Sequence, residues 1–166
     1  VLPTVVDLRP LANTTFNTSN SIEISANVSD TVAVDAVLAN VTLPNGSITQ
    51  LTLALANGTK YNTSFTIPEA IGGYNVLIIA NDTSNNVNAT EFTTFVANDL
   101  VAPNLDNITE SPVDPTTYGS GQFYEFNVTV TDNVAVDSVF IEFNGVNFTT
   151  EVSNIGDVYI FNRHTM

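Results

Sequence analysis

The chain has 166 residues, with 17 acidic against 3 basic side chains and a net charge of −14, a balance that repels phosphate backbones and anionic lipid surfaces and argues against nucleic acid or a membrane surface as partner. Only 12% of residues are charged while 43% are hydrophobic, so uncharged Asn, Thr and Ser must keep the chain in water. The absence of cysteine removes disulfides and thiol chemistry, and the longest apolar run, near 76–80, is far too short to span a bilayer.

In chain order, residues 1–8 read as an extended segment without the basic flank and hydrophobic stretch of a signal peptide, so any targeting or anchoring segment is expected to have been removed. In "IEISANVS" the apolar Ile22, Ile24, Ala26 and Val28 alternate with polar residues, the period of a strand with one buried face. The phrase "SDTVAVDAV" at 29–37 turns the chain, and Val37, Ala39 and Val41 alternate again as the return strand. Pro44-Asn45-Gly46 closes that strand, "ITQLTLAL" forms the next, and Asn57-Gly58 is a favoured hairpin turn because both residues tolerate positive φ. "YNTSFTI", a Gly72-Gly73 turn, "YNVLIIA" and "ATEFTTFVA" complete the series. Short alternating strands with turn signals every ~8–12 residues predict an immunoglobulin-type β-sandwich over 1–98, and no segment carries a helical period. Tyr74 fits either the buried corner tyrosine of such a sandwich or an ordinary core aromatic.

The opening phrase returns as "TDNVAVDSV" at 131–139. An offset of 102 residues joins Asp30 to Asp132 and Asp35 to Asp137, and likewise Glu23 to Glu125, Val37 to Val139, Pro10 to Pro112 and Phe16 to Tyr118. A shared offset over so many positions marks a duplicated domain. Tyr124/Phe126/Val128/Val130 and Val139/Ile141/Phe143 then form the strands on either side of the second phrase. The predicted architecture is all-β: tandem immunoglobulin-like β-sandwiches over 1–98 and 105–166, joined by a linker at 99–104. The second copy is incomplete, without a counterpart of 73–96, so its last two strands are absent. A half sandwich leaves an apolar face and unpaired strand edges exposed. Either the chain is a fragment of a longer protein with further repeats, or a neighbouring copy supplies the missing strand, with residues 1–8 as one candidate donor.

Twelve Asn-x-Ser/Thr triplets occur, at Asn13, Asn17, Asn27, Asn40, Asn45, Asn57, Asn62, Asn81, Asn88, Asn107, Asn127 and Asn147. The alternation puts Asn27 and Asn127 on the outer face of their strands, where a bulky N-linked glycan requires them. A sugar coat would also explain how so few charges suffice. The loop carboxylates invite calcium, a cation that takes several oxygen ligands at flexible geometry. One candidate group is Asp99, Asp132, Asp137 and Glu69, with Asn98, at the junction of the two copies. The other is Asp30, Asp35 and Asp82 at the free end of the first. The same residue types also initiate turns by bonding their own backbone, and the spacing matches no established calcium loop.

No catalytic residue is assigned. His164 is the only histidine, too little for a Ser-His-Asp arrangement or a zinc site, and no phosphate-cradling glycine pattern appears. "GGYNVLIIANDTSNNVNAT" and "FYEFNVTVTDNVAVDSVFIEFNGVNFT" resemble the immunoglobulin-like repeats of secreted prokaryotic, particularly archaeal, surface proteins and the cadherin-like modules of bacterial adhesins. The resemblance covers nearly the whole chain. It implies an extracellular, non-enzymatic structural module of a filament, surface layer or adhesin stalk, whose partners are copies of itself or further repeats. The alternative is an accessory carbohydrate-binding sandwich of a secreted enzyme. Such modules stack exposed aromatics on sugar rings; here Trp is absent, and Phe123, Phe140 and Phe148 are the outward-facing candidates.

Overall fold

The computed structural model describes residues 1–113, 117, 119–143, 145–149 and 152–164. These residues form strands, turns and loops with no helix, and so no helix long and apolar enough to cross a membrane. The chain divides into two compact units, Val1–Leu100 and Val101–Met166.

Unit 1 contains β1 (Thr4–Arg9), β2 (Thr14–Asn17), β3 (Ser21–Ser29), β4 (Val34–Thr42), β5 (Ile48–Thr52), β6 (Ala54–Asn57), β7 (Lys60–Thr66), β8 (Gly72–Asp82), β9 (Val87–Asn88) and β10 (Phe92–Asn98). One sheet has the order β1-β3-β7-β6 and the other β2-β10-β8-β4-β5, with β9 also paired to β8. This is the strand order of an immunoglobulin sandwich. β1 runs antiparallel to β3 in the first sheet while β2 runs parallel to β10 in the second, so the opening stretch serves both sheets in turn. The alternation seen in the sequence is what fills the space between the sheets. Ile24, Ala26 and Val28 from β3 meet Val37, Ala39 and Val41 from β4 and Tyr74, Val76, Ile78 and Ala80 from β8, all buried. Each Val or Ile so enclosed contributes about 1.5–3 kcal/mol relative to exposure.

Three expectations need correction in unit 1. Gly72 and Gly73, expected as a turn, open β8 and pair with Ala97 and Val96 of β10. "ITQLTLAL" is not one strand: the chain leaves β5 at Thr52 and enters β6, in the opposite sheet, at Ala54. Leu53 makes the crossing, its side chain buried in the core and its N–H donating to the Val37 carbonyl at 2.9 Å. Residues 1–8, considered as a donor strand, mostly belong to β1, which is paired to β3 of its own unit with Val5 buried. That segment is already in use.

Unit 2 contains β11 (Asn104–Ser111), β12 (Phe123–Thr131), β13 (Ile141–Phe143), β14 (Val146–Phe148), β15 (Val152–Ile155) and β16 (Val158–His164). Asn104, expected at the end of the linker, already opens β11. The sheet β11-β12-β16-β15 repeats the order β1-β3-β7-β6, and the hairpin β13-β14 takes the place of β4-β5. Its described residues contain no counterpart of β8, β9 or β10. The strand predicted from Val139 to Phe143 is accordingly shortened. In unit 1, β8 pairs with β4 from Val34 to Thr42; without such a partner, Val139 and Phe140 stay outside any strand.

The duplication extends to backbone detail, though its spacing is not constant. Asp7 (φ 53°) and Asn107 (φ 50°), 100 residues apart, each sit where the register of the first strand pair breaks. Lys60 faces Asn27 as Val158 faces Thr129, so β16 follows β7 at a spacing of 98 while β12 follows β3 at 102. Tyr118, the expected partner of Phe16, lies outside the described residues.

Candidate functional site

β4 starts opposite the end of β8, Val34 facing Asp82, and Thr83 N–H donates to the Ala33 carbonyl at 3.1 Å. Asp30, Asp35 and Asp82 therefore share one end of unit 1. The Asp82 carboxylate is buried and committed to its own loop. Its Oδ1 accepts from the N–H groups of Ser84 and Asn86, both at 2.8 Å, and its Oδ2 from Asn86 Nδ2 at 2.7 Å. Asp30 Oδ1 accepts from Val32 N–H at 2.8 Å. In unit 2, Asp132 Oδ1 accepts from Val134 N–H at 2.9 Å. All three make the side-chain turn in which an Asp bonds the backbone two residues on. Asp35 and Asp137 are exposed.

Glu69 precedes β8, Asn98 ends β10 and Asp99 follows it; Ala97 faces Gly72, so these lie at the opposite end of unit 1 from Asp82. Among the described residues no group of three or more His, Asp or Glu side chains is placed to hold a metal. In unit 1 the side-chain oxygens left buried without a partner are Asp30 Oδ2 and Asn81 Oδ1. The geometry of Asp30, Asp82 and Asp132 is that of turn residues.

Asn86, through its side chain and then its N–H, holds the Asp82 carboxyl below its ordinary value of 3.8. A carboxyl depressed in the folded state contributes stability above its unfolded value, and that contribution is lost as pH falls through the folded one. Replacing Asp82 by Ala should therefore lower the melting temperature of unit 1 at neutral pH by roughly 5–10 °C. The gap from the unaltered chain should close as pH drops below 3.8. Asp82→Asn keeps an acceptor that cannot ionise and should show little of this pH dependence. Melts of the three chains between pH 2 and 7 check both points.

Tyr74 is the corner tyrosine. Its O–H donates to the Ala70 carbonyl at 2.7 Å, four residues upstream, and its ring stacks on Phe95 with centroids 4.6 Å apart. Burial raises its pKa above 10.0. Lys60 and Glu23 form an ion pair at 2.8 Å, which on an exposed surface contributes little.

The sequons fall into distinct environments. Asn27, Asn62, Asn88 and Asn127 donate their side-chain nitrogens within the fold. Asn17 Oδ1 accepts from Leu100 N–H and Asn40 Oδ1 from Gln50. Asn13, Asn45, Asn57, Asn107 and Asn147 are exposed, and Asn81 is half-buried. Which nitrogens are engaged depends on cross-strand partners such as Asp7 for Asn27, and no local signal in the sequence announces them.

The largest departure from a closed sandwich is the inner face of unit 2. A cleft of about 210 Å³, with an almost wholly apolar lining, opens between Phe126, Val128 and Phe161 on one side and Val139, Phe140 and Ile141 on the other. Among the described apolar residues of unit 2 only Val130 and Phe161 are buried, and Phe140 is 60% exposed. Phe123 is exposed and packs 5.0 Å from the His164 ring. Phe148, expected to face outward, instead lies 5.4 Å from Phe161 and beneath the Arg163 guanidinium at 4.9 Å. The three phenylalanines thus do not form a uniform outward-facing platform.

Strand order and the enclosed core make unit 1 an immunoglobulin-type β-sandwich, and unit 2 repeats one of its sheets. No protein-family model and no curated protein matches the chain. Among solved structures it is similar to the fibronectin(III)-like modules of CbhA from Clostridium thermocellum (TM-score 0.43, 18% identity, 99% of this chain and 79% of that one). It is similar also to a titin Ig tandem (TM-score 0.40, 11% identity, 99% and 82%). A third is a tetra-tandem repeat from the extending region of a large adhesion protein (TM-score 0.41, 20% identity, 99% and 41%). The chain thus spans less than half of the adhesion-protein fragment. Superpositions this loose leave the fold assignment resting on strand order and core.

Proposed function

We propose that the chain is a non-enzymatic structural module of an extracellular, glycan-bearing filament, surface layer or adhesin stalk, working as one part of a longer array of such units. The observation that carries this reading is the duplication: the sheet β11-β12-β16-β15 repeats the order β1-β3-β7-β6 of unit 1, as in chains built from successive copies of one β-sandwich. The low charge and the many sequons suit a protein kept in water by sugar.

Antibodies against unit 1, applied to intact cells of the native source and followed by electron microscopy, test the proposal. Surface label on rods, filaments or a lattice is expected; label confined to the cytoplasm would sink it.

A further inference from the structure

The inference concerns which sequons are used, and it rests on the reading of the chain as a glycan-bearing surface module. We propose that Asn45 and Asn57 carry oligosaccharide, and that Asn27, Asn62, Asn88 and Asn127 are structural asparagines left unmodified when transfer is to the folded chain. Attachment requires Nδ2 to reach the transferase and then leaves a bulky group there. Nδ2 gives up a proton to a basic group of the transferase and forms a C–N bond to the anomeric carbon of a polyprenyl-phosphate-linked oligosaccharide. The C–O bond from that carbon to phosphate breaks, and the lipid phosphate leaves with the electron pair.

Four Nδ2 atoms are already occupied. Asn27 donates to Asp7 Oδ2 at 2.8 Å, Asn62 to Glu23 Oε1 at 2.7 Å, Asn88 to the Pro3 carbonyl at 2.9 Å and Asn127 to Glu125 Oε1 at 3.0 Å. Asn127 also has its Oδ1 buried. All four lie in strands, where a sugar would displace a partner on the sheet face.

Asn45 and Asn57, the latter the last residue of β6, stand at turns instead. Both are exposed, both are followed by Gly and then by Ser or Thr, and both sit at hairpin turns, β4–β5 and β6–β7. Gly46 (φ 84°) and Gly58 (φ 56°) take the left-handed backbone of these turns, and no atom lies within 4 Å of where a Cβ would stand on either. At Asn45 the hydroxyl two residues on already reaches the amide: Ser47 Oγ is 2.7 Å from Asn45 Oδ1, which also accepts from Ser47 N–H at 3.0 Å. Among the described residues neither Nδ2 has a protein acceptor. The two sites mark opposite ends of unit 1. Asn45 lies beside the start of β8, where Gly72 abuts Pro44. Asn57 lies beside Lys60, which faces Asn27 near the end of β3.

Site-resolved glycopeptide mass spectrometry of the protein from its native cells tests the assignment. Occupancy at Asn45 and Asn57 should exceed that at Asn27, Asn62, Asn88 and Asn127 by roughly tenfold or more, the factor set by giving up one charge-assisted or buried hydrogen bond. Glycans concentrated on those four, or spread evenly, would overturn the assignment while leaving the glycan-bearing reading intact. Unmodified peptides at all twelve sequons would overturn both.

Discussion

A chain in which residues 67–98 are placed directly after His164 is expected to close unit 2, protecting the amides of β12 and β16 from hydrogen exchange and abolishing binding of an apolar dye. The junction follows from the register. Thr66 faces Ser21 in unit 1 and His164 faces Phe123 in unit 2, so His164 occupies the place of Thr66 and residue 67 is the next one due. The graft brings copies of Tyr74, Val76, Ile78, Ala80 and Phe95, all buried in unit 1, to the open face formed by Phe126, Val128 and Phe161. Burying these side chains is worth about 1.5–3 kcal/mol for each large one. Against this, unit 2 is bulkier at the repeat positions: Val128 stands for Ala26, Ile141 for Ala39 and Phe143 for Val41. Overpacking of that kind costs roughly 1–3 kcal/mol. Pairing β12 and β16 into a closed sandwich should raise the protection of their amides by orders of magnitude. In the ungrafted chain, β12 and β16 should exchange far faster than β3 and β8. Equal protection of the two units before grafting, or no gain after it, would show that the open face is not a missing half-core.

The strands of unit 1 were legible because alternation has one physical reading when every second side chain is small or branched and apolar, as at Ile22, Ile24, Ala26 and Val28. Leu53 shows where that signal fails. Leu51, Leu53 and Leu55 continue the period without interruption, yet the chain changes sheets at Leu53 and leaves Leu55 57% exposed. Periodicity reports which side chains face inward and says nothing of which sheet holds the backbone. The acids were ambiguous for a different reason. An aspartate in a loop offers the same oxygens to calcium and to a backbone N–H, and the choice depends on whether the chain folds back within two residues, as it does at Asp30, Asp82 and Asp132. Tyr74 was settled by one distance, from its hydroxyl to the Ala70 carbonyl.

Truncating Phe95 to Ala should nearly undo unit 1, while the same change at Phe126 should barely register in unit 2. Phe95 is fully buried, stacked on Tyr74 at 4.6 Å and met edge-on by Phe16 at 5.8 Å. Removing its ring leaves an enclosed cavity that the two packed sheets cannot collapse, and such phenylalanine truncations cost about 3–5 kcal/mol. For a domain of this size that is a fall of roughly 15–30 °C in melting temperature. Phe126 lies 6.1 Å from Phe143 and 6.2 Å from Phe161, but it lines the open cleft. Its loss only widens a space that water already reaches, so no closed cavity forms and the cost should be about 1 kcal/mol or less. Calorimetry of both variants in the full chain separates the cases, since one core is closed and the other is not. Comparable losses at Phe95 and Phe126 would mean that unit 2 buries its aromatic residues as thoroughly as unit 1.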